Sequence, residues 1–257
     1  MIKKICLFVF ISLSNLTFAQ NQPNILLIMA DDLGWGDVGF HGSVIQTPRL
    51  DKLAEEGVEL DQHYVHPQCT PTRIGLLTGR QCSRFGIIRP VNIQCLPWNT
   101  ETLASALKSF GYTTGLFGKW HLGSKPEWGP NHYGFDYSYG SLAGAVHPWQ
   151  HTYRKGEYEQ SWHRNHEFVR EEGMHTDLCT REAISWLEDI GTEKPWLLYF
   201  PLQAVHTPVD APVEYKQMYH DKKYFDDPKQ NESFVRYAAM TTHMDASVGK
   251  IIDYIQQ

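Results

Sequence analysis

The chain has 257 residues, 23 basic and 29 acidic side chains, a formal charge of −6 and five cysteines. That acidic balance argues against a nucleic-acid partner, because phosphate backbones are held mainly by Lys and Arg. The length suits one large α/β domain with its own core and leaves too little chain for two well-formed ones.

The first stretch, MIKKICLFVFISLSNLTFAQ, carries Lys3 and Lys4, an apolar run from Ile5 to Phe18, and a small-residue cleavage position at Thr17-Phe18-Ala19. It reads as a secretory signal, residues 1–19, cut after Ala19. A membrane anchor is the competing reading, but the run is shorter than the ~20 residues a spanning helix needs and is broken by Ser12, Ser14 and Asn15. Cys6 lies inside the leader and not at its end, so no lipoprotein modification is indicated. The expectation is a secreted or periplasmic chain without stable membrane insertion, its domain running from 20 to 257. Loss of Lys3 and Lys4 takes its charge from −6 to −8. Cys69, Cys82, Cys95 and Cys179 remain; an even number permits two disulfides in an oxidising compartment, although the spacing is not that of a small stapled scaffold.

PNILLIMADD is a short apolar run ending in two carboxylates before the Gly-rich LGWGDVGFHG, which predicts a buried parallel strand and a loop. TPRLDKLAEEG predicts a helix, with Thr47 as N-cap, Pro48 at the first helical position, Leu50, Leu53 and Ala54 on its apolar face, and Gly57 as its stop. VELDQHYV reads as the next strand. A second helix runs from Thr70 to Gly79, and a third is capped by Thr100 and stopped by Gly111, followed by YTTGLFG as a strand. From Pro126 to about Gly173 periodicity dissolves into a Trp-, Tyr-, His- and Gly-rich segment, long for a connection and so a functional insertion. TDLCTREAISWLEDIG then predicts a helix and PWLLYFPL a buried strand. Ser233 caps a last long helix with Val235, Ala238, Ala239, Ile251, Ile252 and Ile255 on its apolar side. This alternation predicts an α/β fold, a doubly wound and mainly parallel sheet with helices on both faces. The site of such a sheet lies beyond the carboxyl ends of its strands.

Asp31 and Asp32 sit at such an end. Neighbouring strand residues face opposite ways, so both serve one site only where the strand breaks into its loop, as Leu33-Gly34 suggests. Paired carboxylates suit a hard cation such as calcium; a solvated strand end is the plain alternative. Cys69 is flanked by Gln68, Thr70, Pro71, Thr72 and Arg73, turn and cap residues rather than the apolar run that hides a structural thiol. Trp and His in AGAVHPWQHTYRKGEYEQSWHRNHEF include His147 and Trp149, whose rings suit a sugar, although aromatics in a long loop also pack it onto its domain.

The strings PNILLIMADDLGWGD, TPRLDKLAEEG, CTPTRIGLLTGR, GYTTGLFGKWHLG, HYGFDYSYG, PWLLYFPLQAVHTP and YAAMTTHMDASVGKI, in this order, make the sequence resemble the type I sulfatases of the alkaline phosphatase superfamily over essentially the whole mature length. The resemblance implies that Cys69 is oxidised by a maturation enzyme to formylglycine, whose hydrated aldehyde supplies an oxygen nucleophile. It implies Asp31, Asp32 and residue 69 as ligands of one Ca2+, with Arg73 holding the hydrate one helical turn below. Lys119 would bind sulfate oxygens. His121, two residues on and so on the same side of an extended segment, would take the proton when the sulfated intermediate returns to aldehyde. His206 would touch the sulfate and help protonate the leaving alcohol. Thr72 stands where Ser or Ala is commoner in the family. The implied activity is a sulfuric ester hydrolase acting on a sulfated carbohydrate or aryl sulfate. The alternatives are a phosphonate or phosphodiester hydrolase of the same superfamily and a truncated, inactive binder of sulfated glycans. The family's remaining metal ligands, in an Asp-Asn-Gly string, and a later sulfate-binding lysine follow the last helix, beyond Gln257. The expectation is therefore the N-terminal portion of the catalytic domain, with the strand carrying Asp31 lacking a neighbour.

Overall fold

A computed structural model describes residues 22–257; the leader reading over 1–19 lies outside the described residues. Six strands form one sheet: β1 (Ile25–Met29), β2 (Thr113–Lys119), β3 (Tyr137–Ser141), β4 (Trp162–Arg164), β5 (Glu167–Phe168) and β6 (Trp196–Pro201). Their order is β1-β6-β2-β3-β4-β5. The first four in that order run parallel, with Ile25 opposite Leu197 and Gly115 opposite Leu198, and β4 and β5 add on antiparallel. The helices are α1 (Pro48–Glu56), α2 (Cys69–Thr78), α3 (Leu103–Ser109), α4 (His175–Ile190), α5 (Val213–His220) and α6 (Pro228–Ile255).

The apolar run of β6 is explained by its place between β1 and β2. Successive side chains point to opposite faces, so Leu198 and Phe200 join a core with α4 and α6, while Leu197 and Tyr199 join a second core with Ile74 and Leu77 of α2 and Ala104 of α3. Helices cover both faces, which is the expected doubly wound α/β arrangement, and the parallel strands all end at one edge.

Several local expectations are corrected. VELDQHYV is not a strand: Val58 is 87% exposed, and the segment passes the outer edge of β1 without pairing, leaving a 770 Å³ cleft against Leu27, Ile28 and Met29. Its apolar residues have no facing ladder, and alternation without a partner does not make a strand. That edge of β1 pairs with no strand among the described residues. The stretch from 126 to 173 is not irregular throughout, since it supplies β3, β4 and β5; short strands rich in Gly and Tyr carry too weak a period to be read. The cap of α3 is Thr102, which accepts from the Ser105 N–H in a capping box, while the Thr100 hydroxyl closes a turn onto Pro97. The cap of α6 is Asp227, whose carboxylate accepts from Lys229 and Gln230 N–H, six residues before Ser233. Thr47 holds the N-cap position of α1, but the backbone N–H groups of Arg49 and Leu50 donate to Asp245 of α6. Cys82, Cys95 and Cys179 are buried free thiols, and no disulfide forms among the described residues.

Candidate functional site

The parallel strands bring the expected chemistry to one edge. Asp31 follows β1, Lys119 ends β2, His121 lies two residues further on, and His206 follows β6; Cys69 opens α2, with Arg73 one turn below. The exit of β1 is fixed to that of β6 by hydrogen bonds from Asp31 N to Ala204 O, 2.9 Å, and from Val205 N to Asp31 O, 2.8 Å. Asp31, Arg73, Lys119 and His121 are all buried.

Their contacts form one charged knot. The Lys119 ammonium donates to Asp31 Oδ2, Arg73 Nη2 stands 3.6 Å from the same oxygen, and Arg73 Nη1 donates to the Lys119 carbonyl at 2.5 Å. Burial by itself would raise the Asp31 carboxyl, but Arg73 and Lys119 outweigh it and hold the group below the usual carboxylate range. Two cations surround one anion, an excess of one positive charge where a hydrated site would have counter-ions. Arg73 Nε and Nη2 also lack hydrogen-bond partners. Buried donors are rarely left unmade, so this is a socket for acceptor oxygens.

Asp32 departs from the expected pairing. Its backbone is left-handed, φ 62°, which turns the carboxylate outward to 63% exposure, with Oδ2 3.5 Å from His206 Nε2. Calcium takes six to eight oxygens, whereas no group of three or more carboxylate, His or Cys side chains capable of holding a metal occurs among the described residues. Asp31 is engaged by Lys119 as well. The residues present do not by themselves make the expected Ca2+ site.

His121 reaches the site by a route other than strand alternation. Its φ of 54° is not extended, so spacing from Lys119 does not aim its ring. The ring lies over Gly144, where a Cβ would come within 2.5 Å of Cε1 and Nε2. Burial, then Lys119, Arg73 and His206, hold its pKa well below the usual histidine value, so it is neutral at pH 7. His206 Nδ1 lies 2.5 Å from the Thr207 carbonyl; the carbonyl only accepts, so Nδ1–H donates there, while Nε2 faces Asp32.

His147 and Trp149 occupy a turn that follows the Gly144 segment and make no hydrogen bond to the other expected site residues among the described residues. His147 Nδ1 accepts from the N–H of Trp149 and Gln150, 3.2 and 3.3 Å, and Trp149 Nε1 donates to Asp210 Oδ2 at 2.8 Å. His147 lines a 640 Å³ cleft with Pro208 and Asp210, just past His206. Sequence reading missed Gly144 and also Gln203, whose amide pairs with Val146 N and O and ties this loop to the exit of β6; neither carries a periodic or charged signal. Three other histidines bond elsewhere: His41 to Glu59, His163 within the sheet, and His243 to Asp177.

A family model described as Sulfatase matches residues 23–257. Arylsulfatase J of Mus musculus is 37% identical over 245 residues, covering 91% of this chain and 40% of that protein. N-acetylgalactosamine-6-sulfatase of Mus musculus is 31% identical over 261 residues, with 93% and 48% covered. A solved structure described as Ps i-CgsB in complex with k-i-k-neocarrahexaose superposes with a TM-score of 0.80 at 33% identity, over 91% of this chain and 55% of that one. The chain thus spans about half the length of the relatives it matches.

Proposed function

Because the chain belongs to the sulfatase family, we propose that the protein hydrolyses sulfate esters, with residue 69 as the nucleophile after conversion of its thiol to formylglycine by a maturation enzyme. The observation that carries this reading is the Arg73 guanidinium, buried with Nε and Nη2 making no hydrogen bond beside the Lys119 ammonium, one turn beneath Cys69. Leaving such donors unmade costs about 1–3 kcal/mol each, a cost an anion with several oxygens removes.

The hydrated aldehyde of formylglycine supplies a hydroxyl oxygen where cysteine has sulfur. Arg73 and Lys119 hold the sulfate oxygens and balance the charge that builds on them. One hydroxyl oxygen of the hydrate attacks sulfur as the ester S–O bond breaks, and His206 helps that hydroxyl's proton reach the departing alcohol; His121, neutral at pH 7, then takes the proton of the second hydroxyl as the bond from residue 69 to sulfate breaks, which frees sulfate and restores the aldehyde for rehydration by water. Asp31 orients Lys119. Asp31 and Asp32 would offer carboxylates to a calcium ion, which would draw charge from the sulfate; the described residues do not complete its site.

The similarity to a protein seen with a neocarrahexaose and to an N-acetylgalactosamine-6-sulfatase supports a sulfated carbohydrate as substrate. Secretion or periplasmic location is part of the same proposal; no described helix is long and apolar enough to cross a membrane.

The test is peptide mass mapping over residues 63–80 of the purified protein, together with sulfate release from sulfated oligosaccharides and a matched phosphonate ester. An aldehyde at residue 69 with sulfate release supports the proposal. Faster turnover of the phosphonate would make the protein a phosphonate or phosphodiester hydrolase, and glycan binding without sulfate release from the aldehyde form would make it a non-catalytic binder.

A further inference from the structure

The turn 147–152 separates two hollows. It is closed by His147 N to Thr152 O and His151 N to His147 O, both 2.9 Å. The buried His151 ring fixes it from below, with Nε2 2.9 Å from the Gly173 carbonyl and its face stacked on Trp162 at 4.5 Å. On one side lies the cleft lined by His147, Pro148 and Pro208, the last of these lying two residues past His206. On the other is a 490 Å³ cleft between the turn and the β4–β5 hairpin. Trp149 stands on the turn between them, 40% exposed and pinned to Asp210.

The second cleft has a defined chemistry. Trp162 and His151 make its floor, and Gln150, Gln160, Phe168 and Arg170 form its rim. Glu171, also at the rim, is engaged by Arg164 at 2.8 Å and Arg181 at 2.6 Å. Arg170 makes no ion pair among the described residues, and neither glutamine amide is committed to another described group. The rim therefore offers a free guanidinium, two amides and a Phe168 ring 38% exposed, the combination that holds an anionic sugar: a charge for its acid group, amides for hydroxyls and a ring for its apolar face.

We infer that this cleft is a distal sugar subsite, taking a unit of a sulfated polysaccharide remote from the ester being cleaved, with Arg170 on an anionic substituent and Phe168 against the ring. The inference rests on the carbohydrate reading of the reaction site. It makes the natural substrate a chain of several sugars that crosses Trp149, rather than a monosaccharide or aryl sulfate.

Affinity electrophoresis of the purified protein in gels containing carrageenan, fucoidan, chondroitin sulfate or heparin tests it, alongside turnover of 4-nitrophenyl sulfate. At least one polysaccharide retards the wild type. Arg170→Ala and Phe168→Ala each weaken that retardation by about fivefold or more, while both variants turn over the aryl sulfate at the wild-type rate and keep its melting temperature. Equal retardation of wild type and variants overturns the subsite. So does hydrolysis of the aryl sulfate with no retardation by any of the four, which leaves the sulfatase proposal standing. Retardation that depends on Arg170, without hydrolysis of any sulfate ester, supports the subsite and refutes the reaction.

Discussion

The Lys119 ammonium at the end of β2 donates to Asp31 at the end of β1, reaching across the exit of β6, which lies between those strands. Both groups are buried, so each neutralises a charge that water cannot reach. Lys119→Met leaves Asp31 with Arg73 alone, and Asp31→Asn leaves two adjacent cations. Asp31→Asn is expected to lower stability by roughly 3–5 kcal/mol, Lys119→Met by less because Arg73 still faces Asp31, and each change to abolish sulfate release. Urea unfolding and a sulfate assay read both, and Asp31→Asn stability equal to wild type would remove the carboxylate from this role.

Cys69 lies at the first position of α2 and is partly exposed. Cys69→Ala is therefore expected to leave the melting temperature within a few degrees of wild type, as for most substitutions outside a core, and to reduce sulfate release to background. Activity that survives the change sinks the nucleophile assignment.

Gly144 holds His121 by having no side chain. Gly144→Ala puts a methyl group 2.5 Å from Cε1 and Nε2 of that ring, and overpacking of this kind costs about 1–3 kcal/mol. Because the ring has to move, turnover is expected to fall about tenfold or more, with substrate affinity changed much less. A KM-against-kcat comparison distinguishes this from plain unfolding.

His163 is wholly buried in the sheet, between Ser138 and the Gly140 carbonyl. Burial pushes its pKa down to about 4, from an ordinary 6.5. The unfolded chain then binds the proton first as pH falls, so stability is full above pH 6.5 and is lost between there and pH 4, by on the order of 3 kcal/mol. His175, also buried and pushed down to about 3, adds to the same slope. His163→Gln should be less stable at pH 7 yet lose less on acidification; identical slopes in urea titrations at pH 7 and 4.5 would contradict this.

Asp245 of α6 accepts from the N–H of Arg49 at 3.1 Å and of Leu50 at 2.8 Å, capping α1 from outside. Asp245→Ala should cost roughly 1–3 kcal/mol, and hydrogen exchange should show the first turn of α1 losing protection before the rest of the chain. Uniform loss of protection would argue against a local cap.

The doubly wound frame was legible because its signals are local. β6 reads as buried from WLLYFP alone, and α1 from Pro48 and Gly57. What misled lay where local and tertiary signals differ: Thr100, Thr102, Ser233 and Asp227 are all chemically fit to cap, and the backbone path selected Thr102 and Asp227. VELDQHYV alternates like a strand, but a cleft separates it from the edge of β1 and it pairs with no described strand.

By itself the sequence determined the buried strands β1, β2 and β6 and the helices α1 to α4 and α6, the ends of strands that carry charge, and the one-turn spacing of Cys69 and Arg73, because backbone sterics and apolar period act over a few residues. Only the tertiary structure decided which charges meet. Asp31 and Lys119 are 88 positions apart, and they pair because β6 inserts between their strands and aligns the two exits. His121 takes its place from a glycine in another segment, and Asp32 turns away from its neighbour through a left-handed backbone. Buried charges take the partners within reach once water is excluded, and that reach is set by strand order.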